Sequence, residues 1–367
     1  MAINSITIWH VPLATLQTSV NQRTGQGIET TSIVVALSTT DGQVGWGEIC
    51  PLPGAGPVFV DGIAPAIAEL SEKILGADPS GPEAFFDTLD RALPGHNEAK
   101  AAIDMAVWDI HGKQAGMAVH TLLGGRQTVG LPICQEIGAM AADEVVEMAK
   151  LSLSGGVRVF RVALGHDQDW GRDADRLVAL RETVGRKATI IGDWAGRGDR
   201  VSAIRTARET AGMDLILEQP CATIEECAAV RLASGQVMKL DESLRGPGDV
   251  LAAHQAGVLD AATLKLSRLG GITKMRQMRD LCLLLGVPMS FEDIASSDVG
   301  ASAVLQVAAS TPSNMMLYTQ DLAGQLTPRL DRYGPARRSG MIAAPVQAGL
   351  GVEPDLDAMG TPLAVLE

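Results

Sequence analysis

IIGDW (190–194), LILEQP (215–220), MKLDES (238–243) and LKLSR (264–268) are the four stretches that decide the fold of this chain. Each is an apolar, strand-like run that ends in an ionisable residue: Asp193, Glu218, Asp241 and Lys265. These residues recur about every two dozen positions, the length of one strand, one helix and two short loops. A parallel β/α barrel brings such strand ends to one face, where its active sites lie, so we predict that the four side chains meet there.

Three of the four residues are carboxylates, and carboxylates that converge repel one another unless a cation lies between them. Oxygen-only ligands suit a hard divalent ion. We therefore predict one Mg²⁺ per active site, bound by Asp193, Glu218 and Asp241. The alternative, that these are ordinary charges at loop edges, fits any one of them better than it fits an evenly spaced set.

Length and charge limit the classes of protein and partner. The chain has 367 residues, 46% of them hydrophobic, which is enough for a barrel of about 250 residues and a second unit. The net charge of −13 makes nucleic acid and anionic membrane surfaces unexpected partners. We expect a small-molecule carboxylate or amino-acid substrate and an assembly of identical chains.

The cysteines and the first residues indicate a location. The five cysteines are odd in number and scattered, without a Cys-X-X-Cys pair, which is typical of reduced thiols in a cytosolic protein. The first residues, MAINSITIWHVPL, lack a basic segment followed by an apolar run, so no signal peptide is expected. Since no apolar run approaches the length of a membrane span, we expect a cytoplasmic protein.

The N-terminal part is predicted to be an α+β unit. Its pattern gives strands at 3–16, 31–40 and 44–48, and helices at 63–75, 83–93 and 97–114. Residues 18–27 and 50–62 are rich in polar residues, glycine or proline, and we predict two functional loops there.

From about residue 131, short apolar strands alternate with amphipathic helices. Eight strands are predicted, at 131–137, 157–164, 188–194, 215–219, 237–241, 262–267, 288–292 and 315–320. Eight strands with helical crossovers favour a closed parallel barrel, and no glycine-rich phosphate loop supports an open sheet. We expect a capping domain at 1–126, a barrel at 127–325, and a tail at 326–367 that packs back on the capping domain.

Five motifs, taken together, resemble a known family. AAIDMAVWDIHGKQAG with LLGG (101–125), then GDW, EQP, LDES and LKLSRLGGITK occur in the order and spacing of the enolase superfamily, muconate lactonizing enzyme subgroup. The resemblance covers nearly the whole chain. It implies an α+β capping domain whose loops close over a (β/α)₇β barrel, a Mg²⁺ site of the three acids, and catalysis by Lys265. The distinctive helix at 101–113 we assign to packing.

The predicted chemistry is removal of a proton α to a carboxylate. Binding the carboxylate to Mg²⁺ would neutralise the charge that develops as an enediolate forms. Next to a divalent cation, Lys265 should have a lowered pKa and act as the neutral base. The alternative is a structural ion pair of Lys265 with Asp241 or Asp293.

The chain departs from the family pattern in VFRVALGHD (159–167). Family members usually carry Lys-X-Lys at this strand end, where this chain has Arg161 and Ala163. Arginine stays protonated and alanine cannot accept a proton, so one base remains and elimination is favoured over racemisation. His166 could supply a second base, although a surface histidine is the simpler interpretation, and Lys239 is expected to lie buried beneath the metal as a charge partner.

The substrate is predicted from the last two barrel strands. Glu292, Asp293 and Asp321 follow those strands and could pair with a cationic nitrogen, and Arg161 is also expected to contact the substrate. A β-hydroxy amino acid that loses water fits both these acids and the single base. Within the subgroup the chain is most similar to dehydratases of cis-3-hydroxy-L-proline, which implies Δ1-pyrroline-2-carboxylate as the product.

Two other functions stay open at this point. An amino-acid or proline-betaine racemase or epimerase would share every metal ligand but would need a second base such as His166. A non-catalytic metal-dependent binder of small molecules is the other alternative, and the intact Lys265 argues against it.

Overall fold

The computed structural model describes residues 1–15, 29–52, 58–167, 169–331 and 334–367, which form two units tied together by a C-terminal segment. The N-terminal unit contains strands β1 (Ile3–Thr15), β2 (Glu29–Thr39) and β3 (Val44–Ile49), followed by helices α1 (Ile63–Ile74), α2 (Pro82–Ala92), α3 (Asn97–Ala115) and α4 (Val119–Leu122). These elements confirm the predicted α+β unit.

The second unit alternates strands and helices. After β4 (Leu131–Pro132), its strands are β5 (Cys134–Ile137), β6 (Val159–Ala163), β7 (Thr189–Asp193), β8 (Leu215–Glu218), β9 (Val237–Leu240), β10 (Ala261–Lys265), β11 (Met289–Glu292) and β12 (Met316–Thr319). Its helices are α5 (Ala142–Ser154), α6 (Trp170–Val184), α7 (Arg200–Glu209), α8 (Ile224–Ser234), α9 (Pro247–Gln255), α10 (Leu266–Leu269), α11 (Ile272–Leu285) and α12 (Asp298–Ala309).

Strands β5 to β12 form one parallel sheet in chain order. An isolated parallel bridge between Ile133 and Thr319 joins its two edges. A barrel strand is buried on both faces, which explains why all five residues of β6 are buried. The predicted (β/α)₇β barrel with an N-terminal capping domain is confirmed.

One predicted strand is divided in the structure. The stretch 131–137 forms β4 and β5, and only β5 enters the barrel. Pro132 lacks an N–H group. Strand β4 pairs instead with a strand of the C-terminal segment, β15 (Met341–Ala343). A pairing partner more than 200 positions away leaves no mark on the local pattern, so the prediction missed this division.

Helix α3 carries the distinctive motif and lies at the centre of the capping unit. It is buried on nearly every side, from Ala99 to Ile110. Gly45 and Gly47 of β3 let it approach closely, because a Cβ atom at Gly47 would stand 1.8 Å from the carbonyl oxygen of Ala102. The packing role predicted for this helix is confirmed.

Acidic side chains of the capping unit bind the N-termini of two barrel helices. Asp104 of α3 accepts hydrogen bonds from the Thr273 N–H and hydroxyl, at 2.9 and 2.6 Å, in the first turn of α11. Glu48 of β3 accepts from the N–H groups of Ser297 and Gly300, at 2.7 and 2.8 Å, at the start of α12. The first N–H groups of a helix have no partner within the helix, so the hydrogen bonds that these acids accept join the two units.

The C-terminal segment returns to the capping unit. Its elements are β13 (Leu326–Thr327), β14 (Ala336–Arg338), β15 (Met341–Ala343), α13 (Leu356–Met359) and β16 (Ala364–Leu366). Both β13 and β16 pair with β1 in antiparallel fashion. The exact domain boundaries stay predictions.

The predictions about thiols and loops have different outcomes. All five cysteines are buried and free, as expected of reduced thiols. No helix in the described part of the chain is both long and apolar enough to span a membrane. The predicted loop at 18–27 lies outside the described residues, as do positions 53–57 of the loop at 50–62.

Candidate active site

The four residues of the opening pattern lie at one end of the barrel. Asp193, Glu218 and Lys265 are the last residues of β7, β8 and β10, and Asp241 follows β9 directly. Strand register places Asp193 beside Glu218, and Lys265 beside Glu292 of the next strand. This end of the barrel, where the strands finish, is called the mouth below.

Glu218 is fully buried at the mouth. Its Oε1 accepts hydrogen bonds from Lys239 Nζ at 2.9 Å and from Thr263 Oγ1 at 2.7 Å. Its Oε2 is buried and has no hydrogen-bond partner within the described residues. A buried oxygen without a partner costs about 1–3 kcal/mol, so this atom is suited to a ligand.

Asp241 is held by two cations. Lys265 Nζ lies 2.5 Å from Oδ2, and Arg268 Nη1 lies 2.6 Å from Oδ1. Burial on its own would raise the pKa of Asp241, but the charges of Arg268 and Lys265 outweigh burial and hold it well below its usual range. Asp241 is therefore anionic.

For Asp193 and Glu242, the other two acids described at the mouth, neighbouring cations do not outweigh the effect of burial. Burial, together with the charge of Glu218, raises the pKa of Asp193 well above its usual range. Burial and the charge of Asp241 raise the pKa of Glu242 to about 7. Burial and neighbouring carboxylates therefore favour the protonated form of both acids at the mouth.

The arrangement of these side chains and the chemistry of their ligand atoms give different answers about a metal ion. As their side chains stand, no three His, Cys, Asp or Glu residues in the described part of the chain are arranged to hold a metal ion. Both carboxylate oxygens of Asp241 contact cations, Oδ2 that of Lys265 and Oδ1 that of Arg268.

In charge and donor chemistry the set nevertheless fits. The unpartnered Oε2 of Glu218 belongs to a set of carboxylate oxygens, which suits a hard divalent cation. The interacting charges are the acids Glu136, Asp193, Glu218, Asp241, Glu242 and Glu292 and the cations Arg161, Lys239, Lys265 and Arg268. A bound divalent cation would favour the ionised form of Asp193 and Glu242, whose pKa values are otherwise raised. The ligand roles of Asp193, Glu218 and Asp241 stay predictions.

The pKa of Lys265 differs from the prediction. Burial favours its neutral form, but the charges of Asp241 and Glu242 outweigh burial and raise its pKa above the usual value. The alternative ion pair with Asp241 is thus present in the structure. A cation bound among the acids would oppose this effect, so the predicted lowering of the pKa depends on such a cation.

Arg161 and Ala163 occupy the second-strand positions. Arg161 is buried, and it donates to Glu292 Oε2 at 2.9 Å and also contacts Glu136 Oε1. Ala163 lies in register with Asp193 at the mouth. This strand end therefore offers an arginine inside an ion-pair network and a methyl group, in agreement with the one-base prediction.

The three acids predicted to bind a substrate nitrogen already have protein partners. Glu292 is fully buried and binds Arg161 and Lys239, which favours a role in the charge network over contact with a substrate. Asp293 accepts from the Ser267 hydroxyl and from Ile294 N–H, and burial raises its pKa to about 6. Asp321 pairs with Arg337.

Lys239 lies inside the barrel, whereas His166 lies in a loop outside it. Lys239 is fully buried and contacts Glu218, Glu292 and the Tyr318 hydroxyl, so its predicted role as a buried charge partner is confirmed. His166 is half-buried in the loop after β6, with Nε2 3.1 Å from Arg197 Nη1. It lies beyond the strand end rather than inside the barrel.

Sequence reasoning missed four residues of the site: Glu136, Gln219, Arg268 and Gln320. Glu136 lies near the end of β5, the same strand-end position that identified the other acids, and its contacts include Arg161 and Gln320. Arg268 follows Lys265 by one helical turn and contacts Asp241. The strand-end position could have found Glu136, and also Gln219 and Gln320, which directly follow β8 and β12; the prediction considered only ionisable residues there.

The capping unit covers part of the mouth. A cavity between the units is lined by Cys50, Leu52, Val58 and Glu98 from the cap and by Ser267 and Ile294 from the barrel. Ser267 and Ile294 come shortly after Lys265 and Asp293 in the chain. The cavity therefore lies at the boundary between the units, lined on the barrel side by residues that follow the strand ends of β10 and β11.

A barrel with acids and a lysine at its strand ends, beneath a separate capping unit, defines a class of enzymes that perform proton transfer at the barrel mouth. Comparison with known proteins identifies the family. Residues 5–124 match the mandelate racemase / muconate lactonizing enzyme N-terminal domain, and residues 143–358 match the enolase C-terminal domain-like family. The chain belongs to this family of the enolase superfamily, and it is an enzyme.

Three similar proteins illustrate the family. Cis-3-hydroxy-L-proline dehydratase of Roseibium aggregatum is 31% identical over 99% of both chains. Muconate cycloisomerase 1 of Rhodococcus opacus is 28% identical over 90% of both. A crystal structure of an enolase superfamily member from Roseovarius nubinhibens, complexed with magnesium, has a TM-score of 0.94 and 29% identity, covering 100% of this chain and 99% of the other.

Proposed function

We propose that this protein is a Mg²⁺-dependent dehydratase of a β-hydroxy amino acid, with cis-3-hydroxy-L-proline as the substrate. One observation carries the proposal. Lys265 stands on one side of the mouth, and the strand end across from it offers Arg161 and Ala163 instead of lysines. A single base suits elimination, whereas racemisation needs proton transfer on both faces of the α-carbon. The likeness to the Roseibium dehydratase supports the same conclusion.

Lys265 Nζ, in its neutral form, takes the proton from C2, and the electron pair of that bond forms the C2=C3 double bond as the C3–O bond breaks. The leaving hydroxyl takes a proton from solvent and becomes water, and Lys265 later returns its proton to solvent, so the net products are water and the cyclic enamine. The cyclic enamine then moves a proton from nitrogen to C3 and becomes Δ1-pyrroline-2-carboxylate.

Asp193, Glu218 and Asp241 are the residues that would hold the ion. When bound, Mg²⁺ supplies Lewis-acid stabilisation of the negative charge that develops at the substrate carboxylate. Lys239 and Thr263 hold one oxygen of Glu218 and so fix that side chain. Arg268 Nη1 donates to both the side-chain Oδ1 and the backbone carbonyl of Asp241, at 2.6 Å each. These contacts pre-set the site before substrate arrives.

Glu136 is the acid that we assign to the substrate's ammonium group. Its side chain is 36% exposed, whereas that of Glu292 is fully buried and that of Asp321 is 15% exposed. Contacts with Arg161 and Gln320 fix it near the end of β5, next to the strand that lacks the lysines. A carboxylate in this position recognises a protonated secondary amine without acting as a second base.

The proposal is tested by incubating the enzyme with Mg²⁺ and cis-3-hydroxy-L-proline and trapping the cyclic imine with o-aminobenzaldehyde. We expect imine to form in step with loss of substrate, and the trans isomer to react far more slowly. L-Proline in deuterated water is the comparison, because it has no leaving group. Accumulation of D-proline at a rate similar to turnover would contradict the dehydratase and favour an epimerase.

A further inference from the structure

Gln219 reaches the chain segments of all three predicted metal ligands. It follows Glu218 directly, and its side-chain Oε1 accepts a hydrogen bond from the Asp241 N–H at 3.0 Å. Its backbone carbonyl accepts from Gly196 N–H at 2.8 Å, in the turn that begins at Asp193. One residue therefore links the ends of β7, β8 and β9.

The amide of Gln219 makes most of its contacts within this region, and its Nε2 also contacts Cys227 Sγ on α8 at 3.7 Å. The residue is fully buried, so it contributes nothing to the surface. Its Nε2 donates to the Cys221 carbonyl at 2.9 Å and to Ser243 Oγ at 2.6 Å, while Oε1 also accepts from Ser243 N–H at 3.2 Å. Each of these partners lies in the loop after β8 or in the segment that carries Asp241.

The backbone of Gln219 is held in an unusual conformation. Its φ of 35° falls in the left-handed region, which residues other than glycine adopt rarely. Such conformations persist only where the surroundings enforce them, and they cluster at functional sites. Glycine would relieve the backbone here but would remove the amide that reaches Asp241.

We propose that Gln219 is a positioning residue, which sets the placement of Asp241 relative to Glu218 and Asp193 and thereby the affinity of the site for Mg²⁺. The proposal rests on the metal-dependent function proposed above. Loss of a side chain that orients metal ligands typically costs 10- to 100-fold in metal affinity, and a loss of about that size is expected here.

The test compares Gln219→Met with Gln306→Met in the full-length protein. Gln306 is also a fully buried glutamine with a satisfied amide, donating to the Pro345 and Leu350 carbonyls and accepting from His120 N–H, but on α12. Mg²⁺ affinity is measured by calorimetry and by the rise in Tm when Mg²⁺ is added to metal-free protein. This rise reports binding whatever the starting stability.

We expect both variants to lower the Tm of the metal-free protein and only Gln219→Met to weaken Mg²⁺ binding, by about 10- to 100-fold. Equal Mg²⁺ affinity in Gln219→Met and wild type would overturn the positioning role. If that variant does not fold, Ser243→Ala decides, because it removes one anchor of the amide: weaker Mg²⁺ binding supports the role and unchanged binding overturns it. Wild-type protein that binds no Mg²⁺ would overturn the proposed function and this inference together.

Discussion

At the scale of the residue, the proposed catalytic role of Lys265 depends on its surroundings. Its ammonium group is held by Asp241 and stands across the barrel from a strand end without a lysine. We predict that Lys265→Ala lowers turnover by at least about 10²- to 10⁴-fold and abolishes exchange of the α-proton with deuterated water. Single-turnover assays and NMR of L-proline measure the two effects.

Lys150→Ala is the matched control for this prediction, because Lys150 is exposed on α5 and pairs only with Glu147 among the described residues. That variant should keep wild-type rates. Residual α-proton exchange at the wild-type rate in Lys265→Ala would show that another group removes the proton.

Glu136 is expected to act on binding rather than on the rate of the chemical step. We predict that Glu136→Gln raises KM for the hydroxy amino acid about tenfold and lowers kcat much less, because one charge-assisted contact to the ammonium group is lost. The binding preference for L-proline over cyclopentanecarboxylate, which lacks the nitrogen, should shrink with it.

The control for Glu136 is Glu147→Gln, since the Glu147 side chain is 75% exposed on α5. It should leave both constants unchanged. If Glu136→Gln still prefers L-proline as strongly as wild type, the ammonium group is recognised elsewhere.

At the scale of the element, β3 and α3 depend on an approach that only glycine permits. A Cβ atom at Gly47 would meet backbone atoms of Ala102, which cannot move aside as a side-chain end can. We predict that Gly47→Ala lowers the free energy of unfolding by about 3 kcal/mol, in the upper range for overpacking. Gly248→Ala, on α9 with nothing within 4 Å of the new methyl group, should not destabilise the protein. Equal stability of the two variants, measured by denaturant unfolding, would contradict the packing argument.

The contact between α3 and α11 should make stability depend on pH. Burial raises the pKa of Asp104 from its ordinary value of 3.8 to about 7, against the hydrogen bonds from Thr273. The folded protein therefore keeps a proton that the unfolded chain releases at lower pH. This contribution to stability is complete below about pH 4 and is lost as pH rises through about 7. We predict that Asp104→Asn flattens the fall in unfolding free energy between those two pH values.

Asp87→Asn on the exposed face of α2 is the control for the pH effect. Its unfolding free energy should follow the wild-type pH curve. Parallel curves for wild type and Asp104→Asn would mean that Asp104 is already ionised at the acidic end of the range.

At the scale of the whole molecule, the sequence predicted the features that recur at regular intervals, and it did not predict contacts between residues that are distant in the sequence. The strand ends at Asp193, Glu218, Asp241 and Lys265 were predictable because each strand–helix unit has nearly the same length. The contact of Arg268 with Asp241 and the pairing of β4 with the C-terminal strand β15 were not, because they depend on how the barrel closes. The substrate-binding roles predicted for Glu292, Asp293 and Asp321 stay predictions, and their burial and cross-strand partners, which the local sequence does not reveal, are what distinguish Glu292 from the more exposed Glu136.

The last prediction concerns the molecule and its metal together, and it rests on the carboxyl groups that meet at the mouth and on the unpartnered Oε2 of Glu218. Mg²⁺ that binds the folded protein alone stabilises it, by about 2.7 kcal/mol when its concentration is about 100 times Kd. We predict that Mg²⁺ raises Tm and that chelation removes activity reversibly. Asp193→Asn, Glu218→Gln and Asp241→Asn should each abolish both effects, whereas Asp175→Asn, exposed on α6, should keep them. Calorimetry with and without Mg²⁺ measures the first effect. Full activity after exhaustive chelation would refute the metal site.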